Sequence, residues 1–327
     1  MNLFEMGDLQ LPWCLRVVVT LRIAEHMAAG ITAIDELAAA AECDGPALRG
    51  VLETLVEKGL FEEPEPGKFQ LNDAAKELME PSARLGLDLN GIGGRMTGAW
   101  GTLLSYVRSG APVYREVFGL PFWEDLEAHP EVAASFDALM GPLGHGEING
   151  DFEITGGWDA VRTVVDVGGG SGAMLAAMLR LRANLRGTLV DFPGTVERAR
   201  ETFRAAGVED RVAYAGQSFF DPLPAGADLY LLRAVLHDWS DDDATAILRR
   251  CAEAARPAGR VVVVKSVSED GARHGMPVSA LIVGGKDRSI TEFRRLAHAS
   301  GLEVISAGRQ ASGYFVVECR ILRPDST

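Results

Sequence analysis

The spacing of apolar positions divides the chain into two unlike stretches. Through the first ninety residues it follows a helical period. Leu11 to Ala29 reads as one amphipathic helix ending before Gly30, and Ile34 to Ala41 as a short alanine-rich helix capped by Thr32. Asp44-Gly-Pro opens a third helix, with Asp44 or Gly45 as cap and Pro46 at the first position, where the missing N–H is no loss. Along it Leu48, Val51, Leu52, Leu55 and Val56 share one face, and Gly59 ends it. Leu60–Glu62, a turn with Pro64, Pro66 and Gly67, and Lys68–Leu71 then predict a two-stranded hairpin. Three helices followed by a hairpin form a winged-helix pattern. From about residue 90 to 155 the period stays helical. Trp100, Tyr106, Tyr114, Phe118, Phe122, Trp123 and Phe136 are aromatic anchors there, most of them for packing, and Gly110-Ala-Pro and Gly119-Leu-Pro are breaks.

From Val161 onward short apolar runs alternate with amphipathic ones. Thr163–Val167, Thr188–Val190, Val212–Ala215, Asp228–Ala234 and Val261–Lys265 read as strands. Leu175–Leu181, Val196–Ala206, Asp241–Ala255 and Thr291–Ser300 read as helices. That alternation predicts an α/β fold, a mostly parallel sheet covered by helices. Leu302–Ala307 and Tyr314–Arg320, joined by a short Gly-containing link, predict an antiparallel hairpin at the sheet edge. The expected division is 1–90, 91–155 and 156–327.

Charge changes the reading of the first part. The chain carries 46 Asp+Glu against 32 Lys+Arg, a formal net charge of −14. Up to Asn90 the count is 7 Lys+Arg against 16 Asp+Glu, a net of −9. Nucleic-acid binding needs basic side chains to displace counterions from phosphates, so this winged-helix pattern is not that of a DNA reader. The helix that would enter a groove sets Arg49 and Lys58 against Glu53 and Glu57. Its apolar faces are expected to pack on the next domain or on a second chain. An anionic membrane surface is disfavoured for the same reason, and no run of about 18 apolar residues offers a membrane span. Met1–Gln10 holds Glu5 and Asp8 and no basic residue, unlike a signal peptide. Cys14, Cys43, Cys251 and Cys319 lie far apart, without metal-ligand spacing, so free thiols in a reducing cytoplasm and no structural metal are expected.

Two constellations carry chemistry. The first is Val164-Val-Asp-Val-Gly-Gly-Gly-Ser-Gly172, where a strand runs into a helix. In open α/β sheets ligands bind outside the carboxyl ends of the strands. Gly168, Gly170 and Gly172 permit a tight turn and close approach to the main chain. The next strand ends in Asp191, whose carboxylate can accept from both hydroxyls of a ribose. Gly168-x-Gly170-x-x-Ala173 also fits a dinucleotide fingerprint. Asp166 separates the two readings. A carboxylate ahead of the loop is a poor neighbour for a pyrophosphate and a good one for an ammonium or sulfonium, which favours S-adenosylmethionine over NAD. The second constellation, Leu236-His-Asp-Trp-Ser-Asp241, follows a buried strand. It places His237 on the ligand side of the sheet, and histidine is the side chain best suited to take a proton near neutral pH.

Together with Phe118-Gly-Leu-Pro-Phe-Trp-Glu-Asp-Leu126, Phe136-Asp-Ala-Leu-Met140 and Gly284-Gly-Lys-Asp-Arg-Ser289, these residues carry a resemblance. From about Leu11 to Arg320 the chain resembles the small-molecule O-methyltransferases of the plant caffeate and flavonoid type and their actinobacterial relatives that tailor aromatic polyketides. The resemblance implies a Rossmann-like class I methyltransferase sheet of seven strands, the last antiparallel, behind an N-terminal helical, winged-helix dimerisation domain. It implies methyl transfer from S-adenosylmethionine to a phenolic hydroxyl of an aromatic, naphthoate-like intermediate of secondary metabolism. In that scheme His237 is the general base and Asp287 orients it. Asp166, Gly168, Gly170, Asp191, Ser218, Phe219 and Arg233 hold the cofactor, and Met140, Trp100 and Trp239 line the acceptor pocket. A homodimer closed by the N-terminal domain is implied as well. Three positions depart from the family pattern: Ser218 and Lys265 stand where acids are usual, and Gly275–Val283 differs in wording and length. Some relatives on this fold hydroxylate, decarboxylate, run pericyclic reactions or methylate nitrogen. Those with non-methylating chemistry commonly lose the base histidine, which His237 retains.

Overall fold

The computed structural model describes residues 2–141, 143, 148–273 and 275–322. It separates into two compact units, Met1–Gly98 and Ala99–Thr327.

In the first unit, the helix expected over Leu11 to Ala29 is two helices, Gln10–Thr20 and Ile23–Ala28. Arg22 separates them with a φ of 56°, a left-handed residue that ends the first helix. Apolar spacing could not reveal the break, because Val18, Ile23 and Met27 on either side enter the same core. The cap expected at Thr32 is also absent. Ala33 is the cap of the Ile34–Ala40 helix and makes no side-chain hydrogen bond. The helix start is instead tied to the hairpin: Ile34 N–H donates to the Gly67 carbonyl, and Phe69 N–H to the Thr32 carbonyl. Asp44 does cap the Gly45–Glu57 helix, accepting from Ala47 N–H at 2.9 Å. β1 (Phe61–Glu65) and β2 (Lys68–Leu71) pair antiparallel, and Phe61 and Phe69 point into the core with Leu37, Leu52 and Leu55.

The second unit begins with short helices that end at Gly110 and Gly119, as the breaks in the pattern predicted. Tyr114, Phe118, Phe122, Trp123 and Phe136 form a chain of ring contacts. Trp100 does not join it and is 44% exposed. The sheet follows, with β3 (Thr163–Val167), β4 (Arg186–Asp191), β5 (Val212–Gly216), β6 (Leu229–Arg233), β7 (Arg260–Val264), β8 (Leu302–Arg309) and β9 (Phe315–Ile321). Its order is β5-β4-β3-β6-β7-β9-β8. β9 enters antiparallel between β7 and β8, so the terminal hairpin does occupy one edge. Alternate residues serve opposite cores. Val165, Tyr230, Leu232, Val261 and Val263 face one layer of helices, and Val164, Leu229, Leu231, Val262 and Val264 face the other. The chain steps from β3 outward to β5 and then returns to the far side of β3 as β6. The carboxyl ends of β3 and β6 therefore flank the topological switch point, where a crevice forms.

Candidate active site

β3 delivers Asp166 and then the glycine loop to that crevice. Asp166 is 1% exposed, and its Oδ2 has no hydrogen-bond partner among the described residues. Burial pushes its pKa up to about 7, against the pull of Arg233 and with a contribution from Asp191. Gly169, which sequence reasoning passed over, is needed here. A Cβ on it would lie 2.6 Å from Asp166 Oδ2 and 2.5 Å from Leu189 Cδ1. Gly170 has a φ of 56° and only open space where a Cβ would stand, which is room for a ligand against the backbone. Asp191, at the end of β4, closes the loop: its carboxylate accepts from Gly170 N–H and from Phe192 N–H, each at 2.8 Å. Burial raises its pKa to about 6 despite those two bonds. Each carboxylate oxygen keeps a second lone pair, enough for two ribose hydroxyls.

The residues fit S-adenosylmethionine on this geometry. Arg233, at the end of β6, leaves Nε buried and unbonded among the described residues, as Asp166 leaves Oδ2. Two buried carboxylates with raised pKa beside an open glycine loop suit a cation and a ribose. They would repel a pyrophosphate.

The turn after β6 carries the second half of the site. His237 sits on a single 3-10 turn, Leu236–Asp238, with its side chain 28% exposed. Its Nδ1 lies 3.2 Å from the Lys265 carbonyl oxygen and 3.5 Å from Ser266 Oγ. A carbonyl oxygen only accepts, so Nδ1 carries the hydrogen and Nε2 is the basic nitrogen. Asp238 Oδ1 is 3.4 Å from Nε2. Burial raises the Asp238 pKa to about 6, against the effect of His237 and with the Asp287 charge adding to the rise. The Asp287 charge thus reaches Asp238, the residue beside His237, a relation sequence reasoning did not foresee. Lys265, where the family resemblance implies an acid, meets His237 through its main chain. Its Nζ lies 5.7 Å from the Tyr314 ring centre. Burial lowers the Lys265 pKa, and Arg233 adds to the effect.

Aromatic rings join the two halves. Trp239 meets Phe219 and Phe220 edge-on at 5.6 and 5.0 Å and stacks on Trp123 at 6.0 Å. Phe219 borders the glycine loop, since a Cβ on Gly168 would lie 3.3 Å from its Cε1. Ser218 shapes that bend, its Oγ accepting from Phe220 N–H at 3.2 Å. Met140 ends the Pro130–Met140 helix, and the following Gly141 stands near Ser171 of the glycine loop. Trp100 is joined to none of these residues by a described contact. Beyond the predicted set, Arg288 lies fully buried under the His237 turn. One arginine in a charged motif gives no sign of burial from sequence.

Residues 100–303 match the family model described as the O-methyltransferase domain. The chain belongs to that family, whose methyl donor is S-adenosylmethionine. It is 41% identical to the 2,7-dihydroxy-5-methyl-1-naphthoate 7-O-methyltransferase of Streptomyces carzinostaticus, over 94% of this chain and 93% of that protein. It is 38% identical to the aclacinomycin 10-hydroxylase RdmB of Streptomyces purpurascens, over 92% of this chain and 84% of that protein. Among solved structures, the O-methyltransferase NcsB1 from neocarzinostatin biosynthesis, in complex with S-adenosyl-L-homocysteine and 1,4-dihydroxy-2-naphthoic acid, superimposes with a TM-score of 0.89. That match has 40% identity and covers 98% of this chain and 99% of the other.

Proposed function

We propose that this enzyme methylates a phenolic hydroxyl of a naphthoate-like aromatic intermediate in antibiotic biosynthesis, with His237 Nε2 as the general base. The observation that carries the reading is the 3.2 Å approach of His237 Nδ1 to the Lys265 carbonyl oxygen. The Lys265 carbonyl takes Nδ1–H and leaves Nε2 as the proton acceptor at the carboxyl end of β6. The naphthoate methyltransferase and the ligand of the NcsB1 complex support the acceptor class.

When bound, S-adenosylmethionine supplies an electrophilic methyl group. Asp191 would hold the ribose hydroxyls, Gly168 and Gly170 would give backbone access, and Asp166 with Arg233 would meet the amino-acid end. Phe219 would lie against the adenine beside Ser218. Met140 and Trp239 would border the acceptor, with Trp100 the remaining acceptor candidate. His237 removes the phenolic proton at Nε2. A phenol near pKa 10 needs only modest help, so alignment and proton removal account for most of the rate. Asp287 acts through Asp238, whose carboxylate faces the same nitrogen.

His237→Ala should lower methyl transfer to hydroxynaphthoates by about 100- to 10,000-fold. Affinity for S-adenosylhomocysteine should be little changed by calorimetry. Near-normal turnover in that variant would overturn the assignment. The hydroxylase relative at 38% identity motivates a second reading, oxygen insertion on the same scaffold. Product mass decides between them, because one product gains a methyl group and the other an oxygen.

The first unit is assigned to dimerisation, and the enzyme to the cytoplasm. Leu3, Phe4, Met6, Leu9 and Trp13 are exposed along the chain start, an apolar run that a second copy would cover. All four cysteines are free thiols, in keeping with a reducing compartment.

A further inference from the structure

Arg288 is 1% exposed, and its described bonds run to the segment that carries the base. Nη1 donates to the Leu236 carbonyl at 2.6 Å, and Nη2 donates to the Trp239 carbonyl at 2.7 Å. These two carbonyls bracket His237 and Asp238. Nε donates to Asp241 Oδ1 at 2.8 Å, where the next helix begins, and Nη1 also reaches the Lys286 carbonyl at 3.1 Å. The planar fork therefore spans the turn from its first residue to the cap residue after its last. A second contact comes from the same loop. A Cβ on Gly285 would fall 2.4 Å from the His237 carbonyl oxygen and 3.1 Å from Asp238 Cα, so only glycine lets the loop lie flat on the turn. The 3-10 turn has two backbone bonds of its own, Asp238 N–H to the Val235 carbonyl at 3.1 Å and Trp239 N–H to the Leu236 carbonyl at 3.4 Å, and 3-10 hydrogen-bond geometry is poor, so the turn gains from an external mould.

We infer that Arg288, with Gly285 beneath the His237 carbonyl, is a positioning residue that holds the base turn so that His237 Nε2 faces the acceptor hydroxyl. The inference rests on the reading of His237 as the base. Burying a guanidinium is costly, and a bond from each of its three nitrogens, one of them to the Asp241 carboxylate, compensates it. Lysine keeps the charge but cannot bond both carbonyls and Asp241 in one plane.

The test compares two acceptors. One is a naphthol with an ordinary hydroxyl, protonated at the assay pH. The other bears electron-withdrawing groups and is already ionised there, so it needs no base. Arg288→Lys should lower kcat on the first by about 10- to 100-fold, the scale expected for a misplaced catalytic group. On the second, kcat should change less than about threefold. KM for both and the affinity for S-adenosylhomocysteine should be unchanged. Gly285→Ala, which presses on the turn from the other side, should show the same dependence on acceptor even if Arg288→Lys folds poorly. Equal losses on the two acceptors in both variants, or full activity on both, would overturn the inference. His237→Ala is assayed alongside. If it keeps its activity on the protonated naphthol, the base assignment fails. If it loses that activity while Arg288→Lys does not, the positioning role alone fails.

Discussion

Asp166 is a buried carboxylate whose Oδ2 has no hydrogen-bond partner among the described residues, and such a group costs stability unless a bound cation compensates it. Its folded pKa, about 7, lies above the ordinary 3.8, so the folded chain holds the proton more tightly than the unfolded one. The stability this lends is complete below the ordinary value and is lost as pH rises through about 7. Asp166→Asn should therefore raise the thermal midpoint of the cofactor-free protein near pH 8. The gain should shrink as the pH falls and vanish only below the ordinary value of 3.8, where the acid is neutral in both the folded and the unfolded chain. The same variant should bind S-adenosylhomocysteine more weakly, and an unchanged midpoint at the higher pH would count against the buried charge. Asp191→Ala removes the acceptor of Gly170 N–H and, on the proposed assignment, that of the ribose hydroxyls, so calorimetry should show affinity for S-adenosylhomocysteine falling by about 10- to 100-fold. Asp191 and the glycine loop were legible in the sequence because a strand end, a glycine cluster and a second strand end are local signals. Asp238 and Arg288 were not, because their importance comes from burial and from partners about fifty residues apart in the chain.

Elements meet around the site through a few polar ties. Arg198, on the Pro193–Ala205 helix, donates to Asp137 on the Pro130–Met140 helix at 2.6 Å, and that helix ends in Met140. Burial raises the Asp137 pKa against the effect of Arg198. Arg198→Met should cost about 1–3 kcal/mol in denaturant unfolding, the range for a bond between charged groups, and should raise acceptor KM more than it lowers kcat. A change confined to kcat would place the tie outside acceptor binding. At this scale the apolar periodicity predicted every strand of the large sheet to within a few residues; β3, β6 and β7, buried on both faces, leave near-continuous apolar runs. It missed the division at Arg22, where left-handed backbone leaves no hydrophobic signature, and the cap at Ala33, where the hairpin's hydrogen bonds took the place of a side chain.

For the molecule as a whole, the acidity concentrated before residue 91 and the exposed apolar start argue for a protein partner and against nucleic acid. Light scattering should give a mass of twice the 35.0 kDa chain, and Phe4→Glu with Trp13→Glu should shift it toward the monomer. A monomeric wild-type protein at micromolar concentration would overturn the dimer. The amino-acid sequence by itself determined the fold class and the cofactor loop, and it singled out His237 as the candidate base. Those follow from periodicity, from glycine's backbone freedom and from a motif that lies within a dozen residues of chain. Only the tertiary structure decided which nitrogen of His237 is basic and which residues hold its turn. The Lys265 carbonyl and the Arg288 fork reach that turn from distant positions, and no local pattern encodes a hydrogen bond between segments that folding alone brings together.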